Sequence, residues 1–236
     1  MTLLSTRGLS RSFSGLRAVH EVDFDLPEGE IRALIGPNGA GKTTFVSLLC
    51  GRIPPSSGQV IFDGQDISAL PAHRRIGLGM AYTFQITSVF ARLSVFENVA
   101  LAARRRLQGR AAVERAVTTA LEQAGLHDRP DQIAGDLAYG HQRLLEIAMG
   151  LAQHPRLLIL DEPTQGLAEA EIAAFQRLIR GLEGETTILL IEHNMSVVRA
   201  LARRVTVLNF GRVLAEGTPE EIHADPAVQA AYLGTG

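Results

Sequence analysis

Lysine is nearly missing from this chain, cysteine occurs once, and no long apolar run interrupts it; each shortage narrows what its 236 residues can be. The single Cys50 lies in the apolar stretch 45–50, which excludes an internal disulfide or an all-cysteine metal site and leaves a buried small hydrophobe as its reading. Nowhere do about 18 uncharged apolar residues run together, so no membrane-spanning helix is expected. The segment opening at Met1 carries no apolar core of the kind a secretion signal needs, and the expected compartment is the cytoplasm. A strong charge of one sign is also lacking. The net charge of -2 supplies no global basic field for non-specific nucleic-acid binding. The one basic cluster, Arg104, Arg105 and Arg106 with Arg110 and Arg115 following at helical intervals, reads as a solvated helix face, so no nucleic-acid partner is expected.

What is present is a chain with 46% apolar residues, enough for one large packed domain. Of its 23 basic residues only Lys42 is lysine, leaving 22 arginines. A guanidinium is a planar fork and an ammonium a compact point charge, so a lone lysine among arginines marks a place where compact geometry matters.

Residues 21–26 alternate polar and apolar, putting Val22, Phe24 and Leu26 on one face of an antiparallel strand before Pro27, Glu28 and Gly29 turn the chain. A short buried strand over 31–35 leads through glycine-rich residues into a helix over 43–49, and residues 59–67 around Asp63 and Gly64 suggest a small β excursion. Helical patterns follow over 95–107 and 111–124, and a further helix over 142–153 ends before Pro155. The near-continuous apolar runs 157–160 and 186–191 read as parallel strands buried on both faces, joined by a helix over 168–182. Residues 205–208 and 213–215 read as a closing hairpin.

The glycine-rich segment is Gly36, Pro37, Asn38, Gly39, Ala40, Gly41, Lys42, Thr43 and Thr44. It fits the pattern of glycine, four residues, glycine, lysine and Ser/Thr, and it sits between strand and helix as that pattern requires. Glycines let backbone N–H groups approach a phosphate closely, the following helix presents its positive end, and Lys42 can reach the β- and γ-phosphates. Thr43 offers a hydroxyl to Mg²⁺. A capped turn would explain the glycines but not the lysine and hydroxyl at those offsets. The motif therefore points to a bound nucleoside triphosphate.

Asp161 and Glu162 follow the apolar run 157–160, at the carboxyl end of a central strand where open α/β sheets bind ligands. Two unpaired buried acids are costly, and a cation relieves that cost. Asp161 is thus expected to partner Mg²⁺ through water and Glu162 to polarise an attacking water, with Pro163 ending the strand.

Smaller features in the same order carry a family resemblance. Gln85 within Thr83-Phe84-Gln85, the stretch Leu137-Ala138-Tyr139-Gly140-His141-Gln142-Arg143, and His193 within Ile191-Glu192-His193 resemble the glutamine loop, signature motif and switch histidine of ABC-type ATPases. The resemblance covers nearly the whole chain. Its spelling over 137–143 and 191–195, and the ending from Gly217-Thr218-Pro219 to Tyr232-Leu233-Gly234, is similar to the ATP-binding subunits of branched-chain amino-acid importers, with urea and amide importers close behind.

The resemblance implies an α/β fold: a phosphate-loop core with a mostly parallel sheet and an antiparallel β subdomain over about 1–84 and 155–236, and an α-helical signature subdomain over about 85–154. It implies that ATP and Mg²⁺ are held by the phosphate loop, with Thr43, Gln85 and Asp161 on the metal and Phe13 stacked on adenine. Lys42, Gln85, Glu162 and His193 serve catalysis. Leu137, Ala138, Tyr139, Gly140 and His141 close the site on a second ATPase subunit, either a copy or a sister chain, and Gly166-Leu167-Ala168 forms the dimer-contact loop. Further implied partners are transmembrane permease subunits and, indirectly, a solute-binding protein, which places the chain at the cytoplasmic face of the membrane. The apolar set Phe84, Val89, Phe90, Val95 and Phe96 is then expected to form a groove for a short helix of the permease, against the plainer reading of ordinary helix packing.

Two departures stand out. The family signature usually begins Leu-Ser-Gly-Gly, whereas Ala138 lacks the hydroxyl and Tyr139 replaces a glycine, so a weaker closed dimer is expected; and Ala168 stands where the contact loop commonly has aspartate. A rival reading, an ABC-type ATPase acting on nucleic acid or ribosomes, usually brings coiled coils, zinc modules or a second ATPase domain, which this sequence lacks. A small-molecule kinase leaves the signature stretch and His193 unexplained.

Overall fold

The computed structural model describes residues 1–83 and 88–233. Three strands set its centre: β3 (Ile31–Ile35), β7 (Leu157–Asp161) and β8 (Thr187–Ile191), every residue of which is buried. Strands covered on both faces read as unbroken apolar runs, which is why these were legible without alternation. With β6 (Met80–Thr83), β9 (Arg204–Asn209) and β10 (Arg212–Gly217) they form a six-stranded sheet ordered β10-β9-β3-β8-β7-β6. All its pairings are parallel except the β9–β10 hairpin. A second, antiparallel sheet ordered β2-β1-β4-β5 joins β1 (Thr2–Phe13), β2 (Leu16–Pro27), β4 (Ser57–Phe62) and β5 (Gln65–Asp66). The fold is the expected α/β arrangement of a mostly parallel sheet with an antiparallel companion.

Helix α1 (Lys42–Leu49) follows β3 and wedges between the sheets, burying Phe45, Val46, Leu48 and Leu49; the Phe45 ring meets Phe24 of β2 edge-on at 5.6 Å. Its far end is closed from outside. Arg75 of α2 (Ala72–Gly77), only 1% exposed, donates to the carbonyls of Leu48 and Leu49 at 2.7 Å each and to those of Leu70 and Ser68. A cation at a helix C-terminus meets both the free carbonyls and the negative end of the dipole.

Helices α3 (Val95–Ala103), α4 (Arg110–Gln123) and α5 (Tyr139–Leu151) lie between β6 and β7 in sequence and share one core with a sheet face. A Ser94/Glu97 capping box fixes the start of α3, so Val95, Val99 and Ala103 all point inward. The crossover β7–α6–β8 runs through α6 (Glu169–Gly181), and α7 (Met195–Leu201), α8 (Pro219–Ala224) and α9 (Pro226–Leu233) complete the chain. Among the described residues no helix is long and apolar enough to cross a membrane.

Three expectations need correction. The helix expected over 95–107 stops at Ala103, because the chain turns so that Arg106 donates to the carbonyls of Gln153 and His154 just past α5. Arg104, Arg105 and Arg106 are therefore exposed in that turn and not on a helix face. The helix expected from Gln142 starts three residues earlier, at Tyr139, with the Gln142 amide already bonded to the Ala138 carbonyl at 3.0 Å. Strand β1 carries no clear period in the sequence, yet it is the central partner of both β2 and β4.

Candidate active site

Because β3, β6, β7 and β8 are parallel, their carboxyl ends share one edge of the sheet, and the loops that leave those ends converge there. The phosphate loop leaves β3. Its path admits only glycine at two points: a Cβ at Gly36 would lie 2.2 Å from the Leu208 carbonyl oxygen of β9, and one at Gly41 would lie 2.3 Å from that of Ala18 in β2. Both have positive φ, 152° and 100°, and both obstacles are backbone, which cannot swing aside. The loop is thus pressed between the two sheets, and the Gly211 amide of the β9–β10 turn bonds Ala40's carbonyl at 2.9 Å.

Lys42 opens α1 and is 7% exposed; its Nζ donates to the carbonyls of Gly36 at 2.6 Å and Pro37 at 3.0 Å. Burial lowers its pKa, while Glu162 and Asp161 act in the opposite sense. Asn38, Gly39 and Thr43 are exposed, Thr44 half-buried.

Asp161 and Glu162 leave β7, and their environments differ. Asp161 is 5% exposed, accepts a 2.8 Å hydrogen bond from the Tyr82 hydroxyl of β6, and has its pKa raised mainly by burial. Glu162, half-buried with φ +47°, bonds through Oε1 to His193 Nε2 at 2.5 Å, while its amide donates to the Ile191 carbonyl at 2.9 Å. The expected residues Lys42, Asp161, Glu162 and His193 are therefore brought together from β3, β7 and β8. Gln85 and Phe84 lie outside the described residues.

Phe13 sits at the end of β1, where β2 begins; it is 41% exposed with the Arg11 guanidinium 4.7 Å above its ring. Since Ala18 of β2 abuts Gly41, this hairpin stands beside the phosphate loop.

The signature residues form a separate group. Leu137 is buried, Ala138 is the N-cap of α5 with no side-chain hydrogen bond, Tyr139 is exposed and Gly140 buried. His141 is half-buried. The Tyr139 ring lies over Gly166, where a Cβ would come within 3.3 Å of its Cε1, and Gly140 faces the Glu171 carboxylate of α6. Glu171 also accepts from the Ala168 amide at 2.8 Å, so it links the start of α5 to the start of α6.

Several residues of the site had not been singled out. Glu192 accepts from the Thr164 hydroxyl at 2.6 Å, from the Thr164 amide at 3.1 Å and from the His193 amide, so it ties the turn after Glu162 to the histidine. Arg143 and Glu146 form a buried ion pair at 2.6 Å. Two charges three residues apart inside the apolar run of α5 were a usable signal, since such residues are seldom buried unless paired. Tyr82 had none, its strand having gone unread.

An open cavity of about 950 Å³ lies between the turn after α1, α2 and β6 on one side and α3 and α5 on the other. Phe90, 52% exposed, lines it with Ile76, Met80, Leu101, Met149 and Glu146. The expected groove set is only partly there: Val89, Val95 and Phe96 pack into the helical core, because the cap at Ser94 sets the phase of α3.

A strand, glycine loop and helix around an inward lysine, opposite an Asp-Glu pair at the end of a parallel strand, define a phosphate-loop nucleoside triphosphatase. Residues 19–165 match the ABC transporter family, and residues 212–236 match the branched-chain amino acid ATP-binding cassette transporter family. The chain is 41% identical to the high-affinity branched-chain amino acid transport ATP-binding protein LivG of Escherichia coli (strain K12), over 98% of each chain. It is 35% identical to the lipopolysaccharide export system ATP-binding protein LptB of the same strain, over 99% of this chain and 98% of that one. Its fold superimposes on the crystal structure of the ADP conformation of MJ1267, an ATP-binding cassette of an ABC transporter, with a TM-score of 0.91, 26% identity and 99% of each chain covered. The chain belongs to the ABC transporter family, as one of its ATP-hydrolysing cassettes.

Proposed function

We propose that this cassette binds Mg-ATP at the phosphate loop, hydrolyses it at the junction of two cassettes and thereby powers uptake of branched-chain amino acids through membrane partners. The observation that carries the reading is the 2.5 Å contact between His193 Nε2 and Glu162 Oε1, formed at the same sheet edge as Lys42 and Asp161. A histidine placed there can hold the glutamate and meet a γ-phosphate, while Glu162 orients the attacking water.

In this assignment Lys42 and the loop amides offset phosphate charge, and Phe13 packs on the adenine. The donors fit Mg²⁺: a Thr43 hydroxyl and a buried Asp161 carboxylate are hard oxygen ligands. Gln85 completes the set as the residue that reports the nucleotide. When bound, Mg²⁺ neutralises charge on the transferring phosphoryl group. Leu137, Ala138, Tyr139, Gly140 and His141 present an open helix end to the nucleotide of a second cassette, copy or sister chain, and Gly166, Leu167 and Ala168 form the contact between them.

The cavity beside Phe90 receives a permease segment, so residues of about 85–154 act as the unit that moves between nucleotide and membrane partner. That places the chain at the cytoplasmic face of the membrane, with a solute-binding protein as an indirect partner. The match of residues 212–236 and the higher identity to LivG than to LptB favour amino-acid uptake over lipopolysaccharide export.

Replacing Glu162→Gln tests the mechanism. ATP binding should persist while turnover falls by about 100-fold or more, with an ATP-dependent dimer accumulating on size exclusion. Near-normal hydrolysis would remove Glu162 from its role. Radiolabelled leucine uptake in cells deleted for this chain tests the solute: unchanged uptake of branched-chain amino acids would sink that assignment.

A further inference from the structure

Glu162 adopts a left-handed backbone conformation, φ +47°, which is uncommon for a residue with a Cβ and persists only where its surroundings enforce it. The enforcing groups are visible. On one side the Glu162 amide is bonded to Ile191 of β8. On the other, Arg143 of α5 donates from Nη2 to the carbonyl oxygens of Asp161 at 2.7 Å and Glu162 at 3.2 Å, with Nε directed at that of Pro163 at 3.4 Å. One guanidinium thus spans three successive carbonyls around the catalytic carboxylate. It is 1% exposed, and its Nη1 is bound by Glu146 Oε2 at 2.6 Å, itself 6% exposed.

A planar fork with five donors can hold several oxygens at fixed angles, which an ammonium cannot. Neither member of the pair reaches the reacting atoms by these contacts. We propose that Arg143 is a positioning residue for Glu162: its guanidinium fixes the backbone that aims the carboxylate, and Glu146 fixes the guanidinium. The inference rests on the assignment of Glu162 as the water-orienting group. It adds that the signature helix, which begins at Tyr139 one turn before Arg143, is fastened to the catalytic peptide of its own chain. Glu146 also lines the wall of the 950 Å³ cavity, so the far end of the fork lies beside the surface assigned to the permease.

The test uses the full chain and reads steady-state Mg-ATP turnover, KM for ATP and the thermal midpoint. Arg143→Lys keeps a cation beside Glu146 but removes the fork. The double change Arg143→Met with Glu146→Leu removes both buried charges together, so neither is left unpaired. Each variant should fold and keep KM within about threefold, while kcat falls about 10- to 100-fold, the scale of a misplaced catalytic group. Placed in the Glu162→Gln background, Arg143→Lys should cause no further loss of turnover.

The proposal is overturned by a folded variant with kcat within about twofold of the parent, by an equal loss with and without Glu162, or by failure of both variants to fold, which would assign the pair to stability. If Glu162→Gln alone retains turnover, the assignment of Glu162 fails instead, and the two failures are told apart.

Discussion

The phosphate loop and the signature stretch, proposed above as the two halves of one kind of site, are built differently by the chain. The loop is walled by backbone: Gly36 against Leu208 and Gly41 against Ala18, with Lys42 turned inward at 7% exposure. The signature stretch is an open helix end whose neighbours are side chains, Tyr139 on Gly166 and Gly140 beside Glu171. Backbone obstacles are immovable, whereas a glutamate tip or an exposed ring can swing away. The first half is fixed by its own chain; the second, in the reading proposed above, has room to adjust to the nucleotide of a second cassette.

Alanine at the two glycines breaks or sharpens that contrast, and Gly36→Ala carries the largest expected effect. A methyl 2.2 Å from the Leu208 carbonyl, at φ 152°, forces the loop or β9 to shift. A stability loss of about 3 kcal/mol or more in urea titration is expected, together with lost nucleotide binding. A variant as stable as the parent would show that the loop is not wedged.

Asp161→Asn should do the opposite. Burial raises the Asp161 pKa, so below the ordinary carboxylate range the group is protonated whether folded or unfolded and its charge costs nothing. As pH rises through the raised folded value, the ionised buried carboxylate costs stability. The amide removes that cost and can still accept from Tyr82. A gain of about 1 kcal/mol, or about 2–4 °C in thermal midpoint, is expected at neutral pH, shrinking towards acid, while Mg-ATP turnover is lost. A gain of equal size at pH 3 would refute the charge argument.

Ala138→Ser supplies the cap that α5 lacks. About 0.5–1 kcal/mol of added stability is expected, with a tighter ATP-dependent dimer. Unchanged dimerisation and turnover would show that the missing hydroxyl is of no consequence here.

Gly140→Ala should cost little, about 0.5–1 kcal/mol, because the obstacle is the Glu171 carboxylate, which can swing away with the loss of its bond from the Ala168 amide. Its effect should instead appear in dimer formation, read by light scattering with ATP. A loss as large as that of Gly36→Ala would erase the distinction between the two halves.

Much of the fold was legible where local chemistry leaves one option. Strands β3, β7 and β8 showed as apolar runs because both faces are covered, and Asp161 and Glu162 were placed at a strand's end by that run stopping. Strand β1 escaped notice: its buried residues alternate irregularly, and its pairings with β2 and β4 both contain register shifts, which break a period of two. The extent of α3 was misjudged for a related reason, since the contact that ends it, Arg106 to Gln153 and His154, spans more than 40 positions.

The sequence by itself determined the chemistry of the phosphate loop, because glycine, lysine and hydroxyl at fixed offsets act through neighbouring backbone. It also located the acidic pair and His193, each at the end of a readable strand. Only the tertiary structure decided how Glu162 is held: His193 lies 31 positions away, Arg143 lies 19 before it, and the positive φ at 162 appears only once β7, β8 and α5 pack together. Contacts between distant segments are set by packing, which leaves no period in the chain, and that is why the contacts that hold the carboxylate appear only in the structure.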